Sequence, residues 1–289
     1  MAPFFTIWTG QAISLFGSGL VQFALIWWLT DTTGSATVLA GATIVALLPQ
    51  IFLGPFAGAL VDRWNRRVVM IVADSTIALA TLLLAALFAM DVVQVWHVLL
   101  LAFIRSLGGA FHWPAMQAST TLMVPEKHLA RVAGLNQTLF GMTNIISPAL
   151  GALLLQVLPI QSILAIDVVT ALVAIVPLFL VVIPQPPRQE GAMATQTSLF
   201  TDVREGLRFV WGWRGMTLIL AMATLINMLA HPAMSLKPIM ITEFFERGAP
   251  ALATLESAFG IGMVLGGILL SVWGGFKRRI VTAMLALVV

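Results

Sequence analysis

Eight stretches of this chain are apolar for long enough to cross a lipid bilayer, and that feature removes most of the folds open to 289 residues. A spanning helix needs about 20 apolar residues at a rise of 1.5 Å each. Residues 4–29, 36–61, 68–90, 95–119, 132–157, 162–183, 214–236 and 250–273 meet that requirement. In lipid each backbone N–H and C=O must be satisfied inside the segment, so these stretches are read as helices. Only 9% of residues are charged while 60% are hydrophobic, against about 25% charged in a typical soluble domain. That is too little polar surface to wrap so much apolar mass in water. An all-α membrane protein, solvated by lipid, is expected.

Lys and Arg placement orients the spans, because basic residues collect in cytoplasmic loops. With a cytoplasmic N-terminus, the inside loops hold Arg63, Arg66, Arg67, Lys127, Arg131, Arg188, Arg204, Arg208, Arg214, Lys277, Arg278 and Arg279. The outside loops hold Lys237 and Arg247, and Arg105 lies within a span; these account for all 15 basic residues. A wrong segment count would flip alternate loops and destroy the pattern. The net charge of +3 is therefore topological, and no nucleic-acid partner is expected.

The chain divides into an N-terminal six-helix bundle over 1–183, a cytoplasmic linker over 184–213 and part of a second bundle over 214–289. Pro184-Gln185-Pro186-Pro187 cannot be helical. Leu199, Val203, Leu207 and Val210 then recur at helical spacing, which predicts an amphipathic interfacial helix. The halves echo each other: Gly54-Pro55-Phe56-Ala57-Gly58 precedes Trp64 and Arg66-Arg67, and Gly262-Met263-Val264-Leu265-Gly266 precedes Trp273 and Lys277-Arg278-Arg279. Two parallel six-helix repeats, about twelve helices in all, would account for this. A ninth apolar stretch starts near Arg279 and ends at Val289, about half a span. The expectation is a fragment, incomplete at its C-terminus, that does not transport by itself.

Cysteine is absent, which excludes disulfides and thiolate chemistry. The four histidines (His97, His112, His128, His231) lack ligand spacing, so no metal site is expected. No Walker-type phosphate loop and no nucleophile–base constellation appear. The chain is not expected to be an enzyme or to hold a cofactor.

Gly58-Ala59-Leu60-Val61-Asp62-Arg63-Trp64-Asn65-Arg66-Arg67 resembles the signature loop of the major facilitator superfamily: glycine, three residues, Asp-Arg, any residue, glycine, Arg-Arg. Asn65 stands at the second glycine position. Asparagine tolerates the left-handed conformation better than most residues, so a left-handed turn is expected there. Leu101 to Gly109, centred on Arg105, resembles the family's fourth-helix arginine motif. Gly141, Pro148 and Gly151 resemble the glycine-proline motif of antiporter-type exporters, with Ser147 and Ala152 at two glycine positions. The likeness extends along the whole chain and points to the bacterial branch of macrolide-efflux proteins and the enterobactin exporter. It implies a multi-pass inner-membrane protein with a major facilitator type bundle. It also implies a monomeric secondary transporter, working by alternating access and exporting a small amphipathic drug, macrolide or siderophore in exchange for protons. A facilitated importer, or a non-transporting scaffold or sensor, is the alternative.

Individual residues carry two readings each. Gly58, Asp62, Arg63, Arg66 and Arg67 either hold a loop on the positive side of the membrane or form a cytoplasmic gate of charge pairs. Arg105 lies about ten residues into its span, where a charge costs at least about 2.5–3.5 kcal/mol. It either makes a structural ion pair or serves the cavity in substrate binding or coupling. Asp167 and Glu256 are hydrated rim carboxylates or proton carriers. Asp74 either pairs with the nearby arginines, the expected role, or serves the cavity or coupling. His112 and Trp113 are interfacial or line the cavity. Gln11, Gln22, Asn136, Gln137 and Asn144 hydrogen-bond substrate or neighbouring helices. Gly17-Ser18 lacks the acid common on the family's first helix. His231-Pro232 and Lys237-Pro238 predict a broken or kinked seventh helix. Gly54/Gly58, Gly262/Gly266 and Gly17-Ser18-Gly19 are read as close helix contacts.

Overall fold

The computed structural model describes residues 1–184 and 208–273. Among them lie α1 (Ala2–Thr33), α2 (Ala36–Arg63), α3 (Arg66–Ala89), α4 (Val95–Met123), α5 (Glu126–Val157) and α6 (Ile160–Leu180). A second group follows: α7 (Arg214–Ile239), a π-helical turn over Met240–Phe244, and α8 (Ala249–Trp273). No strand occurs among the described residues. Among the described residues, eight helices are long and apolar enough to cross a membrane, matching the eight apolar stretches one for one.

Local chemistry sets the helix ends. Gly34 closes α1 in the left-handed conformation at φ 54°, its N–H bonding the Thr30 carbonyl. The Ser35 side chain accepts from Val38 N–H to open α2. Asn65 opens α3, its side-chain oxygen accepting from the N–H groups of Arg67 at 3.1 Å and Val68 at 3.4 Å. Its backbone is extended, at φ −70° and ψ 109°. The left-handed turn expected of Asn65 is therefore absent: the amide serves as a helix cap, the role for which asparagine is among the best residues.

Large apolar side chains face outward all around the bundle, Phe52, Leu79 and Leu180 among them. This is the pattern of a surface wetted by lipid. Inside, α1 packs on α5 and α6, α2 on α4, and α3 on α4 and α6, while α5 packs on α8 and α2 touches α7. The six-helix core has two apolar clusters at opposite ends. One gathers Val21, Leu25, Leu84, Leu101 and Leu164. The other gathers Ile7, Met70, Ala115 and Leu178. Buried polar side chains occupy the layer between them.

Several expectations are corrected. Of the two forms expected at His231-Pro232 and Lys237-Pro238, a broken helix is not found: α7 runs through both prolines, and a π-helical turn follows. A proline leaves the carbonyl four residues earlier without its helical donor, and a widened turn resets the bonding register. Thr242 Oγ1 donates there to the Pro238 and Ile239 carbonyls at 3.3 and 3.2 Å. Among the described residues, Gly54, Gly58, Gly262 and Gly266 make no tight contact; a Cβ at any of them would meet no described neighbour within 4 Å. Close approach falls elsewhere. At Gly17 a Cβ would overlap Thr170 Oγ1 and come within 3.2 Å of Asp167, and at Gly19 it would overlap the Ser147 hydroxyl. The interfacial helix lies outside the described residues except for 208–212, which are helical.

Candidate functional site

The polar layer is built from positions seven residues apart on three helices: Gln11 and Ser18 on α1, Asp74 and Thr81 on α3, and His112 and Arg105 on the antiparallel α4. Seven residues are close to two helical turns, so each pair shares one face. The result is two polar rungs, one above the other.

The rung nearer the C-terminal end of α1 centres on Arg105. Its Nη1 lies 2.6 Å from Asp167 Oδ2 on α6. The same nitrogen donates to Thr81 Oγ1 at 3.3 Å, and Nη2 donates to the Ser18 carbonyl at 3.4 Å. The Ser18 hydroxyl donates to Asp167 Oδ1 at 3.1 Å, so both carboxylate oxygens are engaged. Asp167 is 2% exposed. It is no rim carboxylate: it sits behind Arg105 as the counter-charge. Desolvating either group alone would be costly, and the pair holds because each charge is met at short range by the other and by further donors or acceptors.

The other rung centres on Asp74. Gln11 Nε2 donates to its Oδ2 at 2.8 Å, and His112 Nε2 lies 3.3 Å from its Oδ1. The contacts of Asp74 are thus with an amide and an imidazole rather than with the arginines expected. The reason is reach. Arg66 Nη1 donates to the Ala118 carbonyl at 3.0 Å, and Arg67 Nη2 to the Phe179 carbonyl at 2.6 Å, with Arg67 Nε donating to the Leu178 carbonyl. Both guanidinium groups are held at the ends of α4 and α6, where unsatisfied carbonyls concentrate. These arginine contacts stay within the six-helix bundle. The side chain of Asp62 lies outside those described, and a Cβ on Gly58 would meet no described neighbour. His112 belongs to the Asp74 rung rather than the interface, while Trp113 is exposed.

A cavity of about 370 Å³ lies between α1, α2, α4 and α5 on one side and α7 and α8 on the other. Its wall is mostly apolar, with Phe23, Leu29 and Met234, and its polar groups include Gln22, Asn144, Arg105 and Glu256. Arg105 therefore faces the cavity while its partner Asp167 stays behind it. Glu256 also lines it and is paired, its Oε1 lying 2.5 Å from Lys237 Nζ. The Lys237 ammonium sits 5.8 Å from the Phe259 ring centre. Asp74 does not line the cavity. His231 does, although its sequence gave no sign of that beyond the neighbouring proline.

The glycine-proline stretch of α5 joins the two groups of helices. A Cβ at Gly141 would come within 2.9 Å of Val264 on α8, and one at Gly151 within 2.9 Å of Phe23 on α1. Pro148 lines the cavity. From the α8 side, a Cβ at Gly260 would come within 2.7 Å of Ile145 Cγ1 and 3.1 Å of the Asn144 backbone. Ser257 Oγ donates to the Ile145 carbonyl at 2.8 Å. On α1, Trp8 Nε1 donates to Asn136 Oδ1 of α5 at 2.7 Å, which places Asn136 in helix packing.

Ser18 and Thr81 are partners of the Arg105–Asp167 pair that motif reading missed. The seven-residue repeat of polar positions on three helices was the available signal.

Residues 7–289 match the family model described as Major Facilitator Superfamily. Over 278 residues the chain is 38% identical to macrolide efflux protein A of Streptococcus pyogenes, an overlap of 96% of this chain and 68% of that protein. It is 36% identical over 248 residues to macrolide efflux protein A of Enterococcus faecalis, covering 86% of this chain and 76% of the relative. It is 27% identical over 289 residues to the multidrug efflux pump Tap of Mycolicibacterium fortuitum, covering 94% and 67%.

Proposed function

This chain belongs to the Major Facilitator Superfamily, and on that premise we propose that it is a proton-coupled exporter of small amphipathic molecules. Macrolides are the first class to test, since two relatives carry that name. The protein works by alternating access in a bacterial inner membrane with its N-terminus in the cytoplasm. Residues 1–183 and 214–289 are the two bodies that rock about the site, and 184–213 joins them.

The observation that carries this reading is a mostly apolar cavity between the two groups of helices with the Arg105 guanidinium in its wall. In the proposed orientation the lining stretches of α1, α2, α4, α7 and α8 lie toward the outer leaflet. The cavity is then an outward-facing site from which substrate departs. Apolar walls suit an amphipathic solute, and a few fixed polar groups orient it. Arg105 and Asp167 supply the coupling: a proton taken up on the Asp167 carboxylate cancels its charge, breaks the ion pair and frees the guanidinium toward the cavity. Glu256 offers a second carboxylate there. Gly58, Asp62, Arg63, Arg66 and Arg67 are assigned to a cytoplasmic gate, and Gly141 gives α5 the close fit to α8 along which the bodies move, while Gly151 fits α5 to α1 and Pro148 lines the cavity.

Membrane vesicles carrying the full-length protein, loaded with macrolide, dye or siderophore panels, test the reading with and without an imposed pH gradient. Gradient-dependent movement of at least one amphipathic compound is expected. Movement that merely equilibrates the compound, indifferent to the gradient, would convert the protein into a facilitator. No movement of any compound would remove the transport reading.

A further inference from the structure

We propose that the cavity selects amphipathic solutes that carry O–H or N–H donors, because the hydroxyls in its wall offer lone pairs rather than protons. The inference rests on the transport reading for its use and names the substrate class of that same site. Thr43 on α2, Thr143 on α5 and Ser235 on α7 line the cavity. Each hydroxyl proton goes back to its own helix. Thr43 Oγ1 donates to the Leu39 carbonyl at 3.0 Å, Thr143 Oγ1 to the Leu139 carbonyl at 2.9 Å, and Ser235 Oγ to the Pro232 carbonyl at 2.9 Å. A hydroxyl has one proton to donate and two lone pairs to accept with. With the proton engaged by a helix carbonyl, only acceptor capacity is left for a ligand. The three residues come from both groups of helices, so acceptors stand on both sides of the cavity.

The protein already uses this device within itself. Thr81 Oγ1 donates to the Ile77 carbonyl at 2.9 Å and accepts from Arg105 Nη1 at 3.3 Å. Thr33 Oγ1 donates to the Leu29 carbonyl at 2.6 Å and accepts from Ser35 N–H at 3.3 Å. A solute N–H or O–H would stand to Thr43 and Thr143 as Arg105 stands to Thr81. Position separates the cavity hydroxyls from those that only complete a helix. Thr30, Ser119 and Thr120 make the same bond to their own helices, but they are buried in packed protein and do not line this cavity.

The other polar groups in the wall do not reverse the balance. Arg105 is the strongest donor there, and its Nη1 and Nη2 are engaged by Asp167, Thr81 and Ser18. Gln22, His231 and Asn144 each offer a donor and an acceptor. Glu256 adds a carboxylate of which Oε1 faces Lys237, and its second oxygen is one more acceptor. A solute that covers these oxygens without donating to them leaves them unpaired in an apolar setting, which costs free energy and rejects it.

Two cationic rhodamine dyes test this, one with primary amino groups and the other with the same nitrogens dimethylated. Charge and ring system are shared, and only the N–H donors differ. Binding to the full-length protein in lipid nanodiscs is read by fluorescence anisotropy, with the signal of empty nanodiscs subtracted. Thr43→Val combined with Thr143→Val keeps the side-chain shape and removes both oxygens. It should weaken binding of the amino dye about tenfold and leave the dimethylated dye within about twofold. Thr43→Ser combined with Thr143→Ser keeps both oxygens and should keep the preference. An equal loss for both dyes in the valine variant, or no loss for either, overturns the proposal, as does binding of neither dye by the unaltered protein. Should the valine variant fail to fold, Ser235→Ala replaces it, with a loss of about threefold expected for the amino dye alone. Vesicle efflux separates this inference from the transport reading. Selective binding of the amino dye without movement of any compound leaves the proposal standing and removes transport. Gradient-driven efflux of other compounds, without selective binding of the amino dye, keeps transport and overturns the proposal.

Discussion

Arg105 and Asp167, 62 residues apart in sequence, meet at 2.6 Å, and the guanidinium faces the cavity while the carboxylate is sealed behind it. The asymmetry has a mechanical meaning. The group that lines the cavity is held by one that does not, so any event that neutralises Asp167 changes the cavity wall from behind.

Removing one member of this pair strands the other. Asp167→Ala is expected to lower stability by about 3–5 kcal/mol, and Arg105→Ala by a similar amount. The double variant Arg105→Met with Asp167→Leu recovers most of that loss and no export. Unfolding in detergent, read beside vesicle transport, checks this; full export by the apolar pair would remove the coupling role.

Gly17 and Gly41 make a matched pair. A Cβ at Gly17 would strike Thr170 and Asp167, whereas at Gly41 it would meet no described neighbour. Gly17→Ala should push α1 off α6 and cost about 1–3 kcal/mol. Gly41→Ala, in a helix interior, should stabilise by about 0.4–1 kcal/mol. Opposite shifts in thermal midpoint are the expected result.

Asn65 separates two readings of the signature loop. As an N-cap, its replacement by Ala should cost about 1 kcal/mol, by Asp little, and by Gly a few tenths. A left-handed turn would instead make Gly the best residue. Melting curves of the three variants decide, and a gain from Asn65→Gly would contradict the cap.

Lys237 and Glu256 are partly exposed, at 19% and 31%, so water screens the pair and its stability contribution should stay below about 1 kcal/mol. Its effect belongs to selectivity. Lys237→Met leaves an uncompensated carboxylate on the cavity and should raise export of cationic dyes relative to neutral ones. Glu256→Gln should reverse the preference. Equal ratios in both variants would exclude Glu256 from substrate contact.

The chain lacks cysteine, so introduced pairs report cleanly. Gly260 and Ile145 are close enough for Gly260→Cys with Ile145→Cys to bridge α5 and α8. Oxidation should arrest export and reductant should restore it. Continued export through the cross-linked protein would show that these helices do not move apart.

Spans and fold class were legible because lipid imposes a length and a composition on every crossing segment, and Arg105 stood out because a charge in that setting is costly. Its partners were not legible. Asp167 and Ser18 reach it from α6 and α1, and no local pattern records which face of α6 turns toward α4. Asp74 was misassigned to arginines near it in sequence, because helix-end carbonyls claim those arginines first. The small-residue motifs misled in the same way. Gly54 and Gly58 have the spacing of a packing face, yet the tight contacts lie at Gly17, Gly19 and Gly260, where a bulky neighbour or another backbone comes in from a distant helix. The two prolines of α7 gave the place of a disturbance but not its form, since a widened turn after Pro238 serves where a break was expected.

The apolar clusters at the two ends of the six-helix bundle have an electrical consequence. The first lines the cavity with Leu25, Leu29, Leu39 and Val98, whereas no member of the second does. Apolar packing therefore separates the cavity from the other end of this bundle, and the membrane voltage should drop mainly across that packed end rather than across the cavity.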